Sequence, residues 1–228
     1  MLFDAALTPV ANECWFDPEQ WSPAGTAERM AGGRGSVVFL RDSVRRWVLR
    51  HYRRGGAVAS LLDDRYLWTG EERTRAFREW RLLKRLEAWQ LPVPRAVAAR
   101  YRRQALFYRA DLITEELPAT TTLAQTLESA PLDEARWRAI GACLRRFHAH
   151  GVQHADLNAH NVLLGRDGGV HLLDFDRGRL RERGAWEDTV LARLHRSLVK
   201  VTQGLPPDRF GDANAPGTAA IPARRGRI

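Results

Sequence analysis

Lysine is nearly missing from this chain. Of the 36 basic residues among 228, only Lys84 and Lys200 are lysines and all the others are arginines. Chemistry that needs an ammonium group must use one of those two positions. Cysteine is equally scarce, with Cys14 and Cys143 alone, which excludes a disulfide framework and points to a reducing compartment. The apolar runs are short, Val37 to Leu40 being typical, whereas a membrane-spanning helix needs roughly 20 residues. Met1-Leu2-Phe3-Asp4 shows no basic segment followed by an apolar one, so no secretory signal is expected. Collagen-like repeats, low-complexity tracts and sustained heptads are lacking too, leaving a globular chain of one unit or two small lobes.

What is present is positive charge. The 36 basic residues face 27 acidic ones, for a net charge of +9. A balance of that sign suits nucleic acid, an anionic membrane surface or a phosphorylated small molecule, and does not choose among them.

Along the chain, the first 30 residues read as irregular and aromatic-rich, and Trp15, Phe16 and Trp21 are expected to pack in the core. A glycine cluster then leads into a strand at Val37 to Leu40, and Trp47 to Tyr52 forms a second β-like run, so the two suggest a hairpin or meander. From Glu71 to Gln90 the spacing of Phe77, Trp80, Leu83 and Leu86 predicts a helix, which Pro92 and Pro94 stop. Further strands are expected around Val97 and at Leu106 to Thr114, and a helical turn near Leu123 to Leu127. Asp133 to His150 predicts an amphipathic helix with Trp137, Ile140, Leu144, Phe147 and His148 on one face and Gly151 closing it. Short strands follow at Val162 to Leu164 and Val170 to Leu173, then a last helix over Glu187 to Gln203, and the Pro-, Gly- and Arg-rich tail from Pro206 is expected to be disordered.

The chemistry lies in His154-Ala155-Asp156-Leu157-Asn158-Ala159-His160-Asn161, followed 13 residues later by Asp174-Phe175-Asp176. Phosphoryl transfer needs a carboxylate at the acceptor hydroxyl and oxygen ligands for the Mg²⁺ that neutralises a triphosphate. In the pattern H-x-D-x-x-x-x-N, Asp156 would accept the hydroxyl proton and Asn161 would hold metal from the same loop, while Asp174 at a strand end would supply the main metal carboxylate.

These motifs resemble the protein-kinase-like fold, whose other parts have counterparts upstream. Met30 to Val37 fits G-x-G-x-x-G-x-V with Met30 in place of the first glycine, so Gly32, Gly33 and Gly35 become candidates to cover phosphates. Val48-Leu49-Arg50-His51 puts Arg50 where such kinases carry a phosphate-binding lysine, and Glu79 is its candidate helix partner. By order along the chain, backbone groups from Glu115 to Leu117 would bind adenine. Departures argue against a folded protein as acceptor: Ala155 replaces the arginine of H-R-D, Asn158 the lysine two residues after the catalytic aspartate, and Asp176 the glycine of D-F-G.

From about Gly32 to Arg179, the set as a whole resembles the Kdo kinases of the lipopolysaccharide kinase branch; D-F-D and the turn Arg53-Arg54-Gly55-Gly56 are its more discriminating pieces. The resemblance implies an α+β, bilobal fold: an N-terminal lobe (1–114) with an antiparallel sheet and one main helix, and a reduced, mostly helical C-terminal lobe (115–205) before the tail (206–228). It implies ATP and Mg²⁺ as cofactors, and phosphorylation of the 4-hydroxyl of Kdo in Kdo-lipid IVA. The expected place is the cytoplasmic face of a Gram-negative inner membrane, on an anionic surface, with neither nucleic acid nor protein as partner. His154 would be mainly architectural, Asp176 would orient the metal-bound aspartate or an acceptor arginine, and Arg53, Arg54 and Arg177 are acceptor candidates. Three other readings stand beside it: a heptose or other sugar kinase; a basic pseudokinase binding membrane or nucleic acid, favoured by the missing lysine; and a metal hydrolase using His148, His150, His154 and His160, whose spacing fits no H-E-x-x-H pattern.

Overall fold

A computed structural model describes residues 1–10, 12–21, 26–30, 37–53 and 64–203. The chain divides into two compact units, one of Met1–Ala88 with Pro94–Leu117, the other of Trp89–Val93 with the chain from Pro118 onward.

The first unit is built on antiparallel strands: β1 (Leu2–Phe3), β2 (Thr26–Met30), β3 (Val37–Arg41), β4 (Arg46–His51), β5 (Tyr66–Leu67), β6 (Ala96–Gln104) and β7 (Phe107–Glu115). Their order is β1-β6-β7-β4-β3-β2, and β5 pairs with the first two residues of β7. The expected β3–β4 hairpin is closed by Asp42, whose Oδ1 accepts the backbone N–H groups of Val44 at 2.8 Å and Arg45 at 2.6 Å. Such an Asx turn is why aspartate suits that position. Alternation along the hairpin buries Val38, Leu40, Trp47 and Leu49.

The expected burial of Trp15, Phe16 and Trp21 is found, and it covers that apolar face: Trp15 and Trp21 meet Trp47 edge-on, with ring centroids 5.4 and 5.6 Å apart. Each buried ring contributes about 1.5–3 kcal/mol through area removed from water. The segment expected to be irregular therefore carries structure, with 3₁₀ turns at Glu13–Phe16 and Pro18–Trp21 besides β1 and β2.

The helix predicted from Glu71 starts later. A 3₁₀ turn occupies Glu71–Arg73, Thr74 is extended, and helix α1 runs over Arg75–Ala88. It packs on β6 and β7. It buries Ala76, Phe77, Leu83 and Leu86, and also a carboxylate, Glu79.

The second unit holds helices α2 (Leu123–Ser129), α3 (Glu134–Ala149) and α4 (Trp186–Thr202). It also has two small sheets, β11-β10-β8 and β12-β9, from β8 (Thr120–Thr122), β9 (Val152–Gln153), β10 (Val162–Gly165), β11 (Val170–Leu172) and β12 (Arg179–Leu180). Thr122 caps α2 with a full capping box to Gln125, and Asp133 caps α3 through the Arg136 N–H at 2.7 Å. The α3 face runs through Ile140, Cys143, Leu144, Phe147 and His148. Gly151 ends it at φ +69°, where an added Cβ would lie 2.2 Å from the Arg181 carbonyl oxygen. That close approach and the left-handed backbone both require glycine. Trp89–Val93 belongs to this unit because Pro92 O accepts the Leu172 N–H at 3.0 Å, Gln90 O accepts Arg146 Nη2 at 2.6 Å, and Trp89 packs on His150. The tail expected to be disordered lies outside the described residues.

Candidate active site

The loop from His154 to Asn161 and the strand end at Asp174 are joined by the backbone of one residue. Leu173, just past β11, donates its N–H to Asn161 O at 2.9 Å and accepts His154 Nε2 on its carbonyl at 2.7 Å. His154 is 3% exposed, and its Nδ1 accepts the Asp156 N–H at 3.2 Å, so the ring proton sits on Nε2. Burial holds this imidazole below its usual pKa; the Leu173 carbonyl and the Asp174 and Asp156 carboxylates pull the other way but do not prevail. A neutral, backbone-bound histidine is an architectural part.

Asp156 is half-exposed and its backbone carbonyl is the hub of the loop, accepting Nδ2 of both Asn158 and Asn161 at 2.9 Å. Its carboxylate is gripped by Arg193 of α4, with Nε at 2.8 Å from Oδ1 and Nη2 on the same oxygen. One turn further along α4, Ser197 Oγ accepts the Ala159 N–H at 3.0 Å, and Ala159 O in turn accepts the Ala124 N–H at 3.0 Å. Leu157 and Ala159 are fully buried with His154 at 3% exposure, so these three side chains anchor the loop while Asp156 and His160 are exposed.

Asp174 has φ +62°, a left-handed conformation that aspartate tolerates better than most residues. The turn drives Phe175 into the core, stacked on Phe147 at 5.7 Å and against His154 at 4.7 Å. Asp176 is half-buried and Arg177 exposed. The donor set suits a hard cation. With its Nδ2 committed to Asp156 O, Asn161 has an amide oxygen that could hold a metal, and Asp174 could add a carboxylate. Among the described residues no three His, Cys, Asp or Glu side chains form a metal cage, and Mg²⁺ held by one or two protein oxygens plus phosphates needs none.

In the first unit the strand arginine and the helix glutamate meet. Arg50 forms an ion pair with Glu79, which is 2% exposed, and Tyr52 donates its hydroxyl to the same Glu79 oxygen at 2.6 Å while accepting Arg50 Nη2 at 3.1 Å. Arg50 also stacks over the Tyr52 ring at 4.7 Å. Burial, then the Glu79 charge, raises the Tyr52 phenol well above its usual range, so it stays a donor. Glu115 closes β7, its N–H donating to Arg95 O at 2.9 Å; Glu116 takes Arg41 in a two-bond fork at 2.8 and 2.9 Å; Leu117 is the last residue of this unit. Arg53 is exposed. Gly32, Gly33, Gly35 and Arg54 lie outside the described residues.

The structure thus assembles Arg50 with Glu79 in one unit, and His154, Asp156, Asn161 and Asp174 in the other. Sequence reasoning missed Tyr52, Ser197 and Arg193. Tyr52 was within reach, since it shares Arg50's face of a strand at i+2; Arg193, 37 residues from Asp156, carries no local signal.

Residues 19–212 match the model of the "Lipopolysaccharide kinase (Kdo/WaaP) family". Among curated relatives, the 3-deoxy-D-manno-octulosonic acid kinase of Xanthomonas axonopodis pv. citri is 44% identical over 202 residues, covering 88% of this chain and 80% of that protein. The kinases of the same name from Stenotrophomonas maltophilia (strain K279a) and Xylella fastidiosa are each 43% identical, over 204 and 203 residues, with the same coverage of 88% and 80%. With a family match over most of its length and relatives at this identity, the chain belongs to the lipopolysaccharide kinase (Kdo/WaaP) family.

Proposed function

We propose that this chain transfers the γ-phosphoryl group of ATP to the 4-hydroxyl of the Kdo sugar in Kdo-lipid IVA, during lipopolysaccharide core biosynthesis. The observation that carries the reading is the double grip of Leu173, which ties the loop of Asp156 and Asn161 to the strand end of Asp174. A base for a hydroxyl and two oxygen ligands for a cation are the parts phosphoryl transfer requires. The identity with kinases named for 3-deoxy-D-manno-octulosonic acid supports that acceptor.

In this reading Asp156 accepts the acceptor's hydroxyl proton, while Asn161 and Asp174 hold Mg²⁺. When bound, the metal neutralises the triphosphate's charge. Arg50, kept in place by Glu79 and Tyr52, binds phosphate, with Gly32, Gly33 and Gly35 covering it, and the backbone from Glu115 to Leu117 binds adenine. His154 holds the loop, Asp176 orients Asp174 or an acceptor arginine, and Arg53, Arg54 and Arg177 contact the anionic acceptor. No helix among the described residues is long and apolar enough to cross a membrane. A net charge of +9 suits peripheral attachment at the cytoplasmic face of the Gram-negative inner membrane.

Mass spectrometry of Kdo-lipid IVA incubated with the purified protein and Mg·ATP tests the proposal, with the Asp156→Asn protein and a heptosylated acceptor in parallel. A gain of one phosphoryl group on Kdo, lost in the variant, is the expected result. Phosphate on heptose alone would overturn the acceptor assignment, and an undiminished rate in Asp156→Asn would overturn the base.

A further inference from the structure

The loop that carries Asp156 brings no cation of its own to that carboxylate. Two residues on stands Asn158, and its side chain is turned into the loop: Nδ2 donates to Asp156 O at 2.9 Å and Oδ1 accepts the His160 N–H at 2.9 Å. The positive charge comes instead from α4. Arg193 places Nε, at 2.8 Å, and Nη2 on one oxygen of Asp156, Oδ1, and among the described residues Oδ2 makes no hydrogen bond.

This grip is anchored on both sides. Leu194, next to Arg193, is fully buried, and Ser197 holds the same loop through the Ala159 N–H at 3.0 Å, so helix and loop are fixed to each other. The pair itself is open, with side chains 48% and 53% exposed. Exposed ion pairs stabilise folds little, so structural support does not explain this one. It does define orientation. The terminal torsion of an aspartate is broad, and two donors on Oδ1 narrow it to a setting in which Oδ2 is left without a hydrogen bond on a half-exposed side chain.

We infer that Arg193 is a positioning residue of the phosphoryl transfer, clamping Oδ1 of Asp156 so that Oδ2 receives the acceptor's proton. The inference rests on the reading of Asp156 as the base. In the step it serves, the acceptor hydroxyl proton passes to Oδ2 and the acceptor oxygen bonds to the γ-phosphorus. The bond from that phosphorus to the β,γ-bridging oxygen breaks, and its electron pair leaves with ADP. The guanidinium also offsets the repulsion between the carboxylate and the anionic phosphoryl group.

Steady-state kinetics of the full chain with Mg·ATP and Kdo-lipid IVA tests this. In Arg193→Ala and Arg193→Gln, kcat should fall roughly 10²-fold while the KM for ATP stays within about threefold. Arg193→Lys should keep part of the rate, and added guanidinium ion at low millimolar concentration should raise kcat of Arg193→Ala about tenfold without helping Asp156→Asn. Because the two residues act as one unit, adding Arg193→Gln to Asp156→Asn should cost less than about threefold more. A kcat near wild type, or losses that multiply without rescue, would overturn the role. An NMR readout needs no acceptor: the Arg193 Nε–H resonance should be slowly exchanging in the wild type and lose that protection in Asp156→Ala. Fast exchange of this resonance in the wild type would overturn the clamp whatever the folding of the variants, and protection kept in Asp156→Ala would overturn it too. If the clamp is seen but Kdo-lipid IVA is not phosphorylated, the acceptor assignment falls and the clamp stands.

Discussion

Two arginine–carboxylate pairs, one in each unit, are built in opposite ways. Glu79 is 2% exposed and Arg50 21%, and Tyr52 completes a network that satisfies both. Asp156 and Arg193 are 53% and 48% exposed and share only one carboxylate oxygen. Burial makes the first pair part of the frame, since either charge left alone there would be expensive. Exposure leaves the second carboxylate open to solvent, and its ion pair contributes little to the fold. The difference lies in neighbours rather than in residue type.

Substitution can break that comparison, and the largest effect should fall on activity. Asp156→Asn is expected to lower kcat by roughly 10²–10⁴ while the denaturant midpoint of unfolding stays near wild type; a matching loss of stability would mean that the exposed carboxylate is structural after all. In the buried network the expectation is reversed. Glu79→Ala should cost about 3–5 kcal/mol of stability in urea titrations, because Arg50 and the Tyr52 hydroxyl lose their common partner, whereas Arg193→Gln should cost less than about 1 kcal/mol.

Between these falls Gly151→Ala, which puts a Cβ 2.2 Å from the Arg181 carbonyl at φ +69° and should destabilise the second unit by about 1–3 kcal/mol. Hydrogen exchange should locate the change at the end of α3 and at β12, and uniform protection there would contradict it.

The two units also treat histidine differently, and this sharpens the comparison at the smallest scale. His51 lies between Asp111, at 2.6 Å from Nδ1, and Asp64, at 3.3 Å from Nε2, with Arg100 and Arg109 behind those carboxylates. The hydrogen bond to Asp111 above all raises its pKa from 6.5. The stability this adds is complete below that unfolded value and is lost as pH rises through the higher folded one. His154 has the opposite shift through burial: as pH falls below 6.5, the unfolded chain takes up a proton that the folded ring resists, and stability falls. From about pH 6 to about pH 8 the unfolding midpoint of His51→Gln should therefore gain relative to that of wild type, and identical slopes would remove His51 from the account.

Much of this architecture is legible along the chain. The β3–β4 hairpin follows from alternation and an aspartate turn, and α3 from its cap, its apolar spacing and Gly151. The loop around Asp156 could be read because its parts lie within eight residues and are held by its own backbone. β2 escaped notice because Thr26–Met30, Thr-Ala-Glu-Arg-Met, shows no apolar alternation; its place is set by pairing with β3. The pause at Thr74 escaped too, since the periodic apolar residues begin only at Phe77 and leave the start of the helix undefined.

The sequence by itself determined the elements whose causes are local, the choice of Asp156, Asn161 and Asp174 as candidate site residues, and the presence of arginine at position 50. Only the tertiary structure decided that Tyr52 joins Arg50 on Glu79, that Leu173 ties the loop to the strand end, and that Arg193 stands on one oxygen of Asp156. Turns, caps and periodicities act over a few residues, so a sequence displays them. A side chain reaching across 37 residues is placed by the packing of its helix, and packing depends on contacts that no stretch of sequence contains.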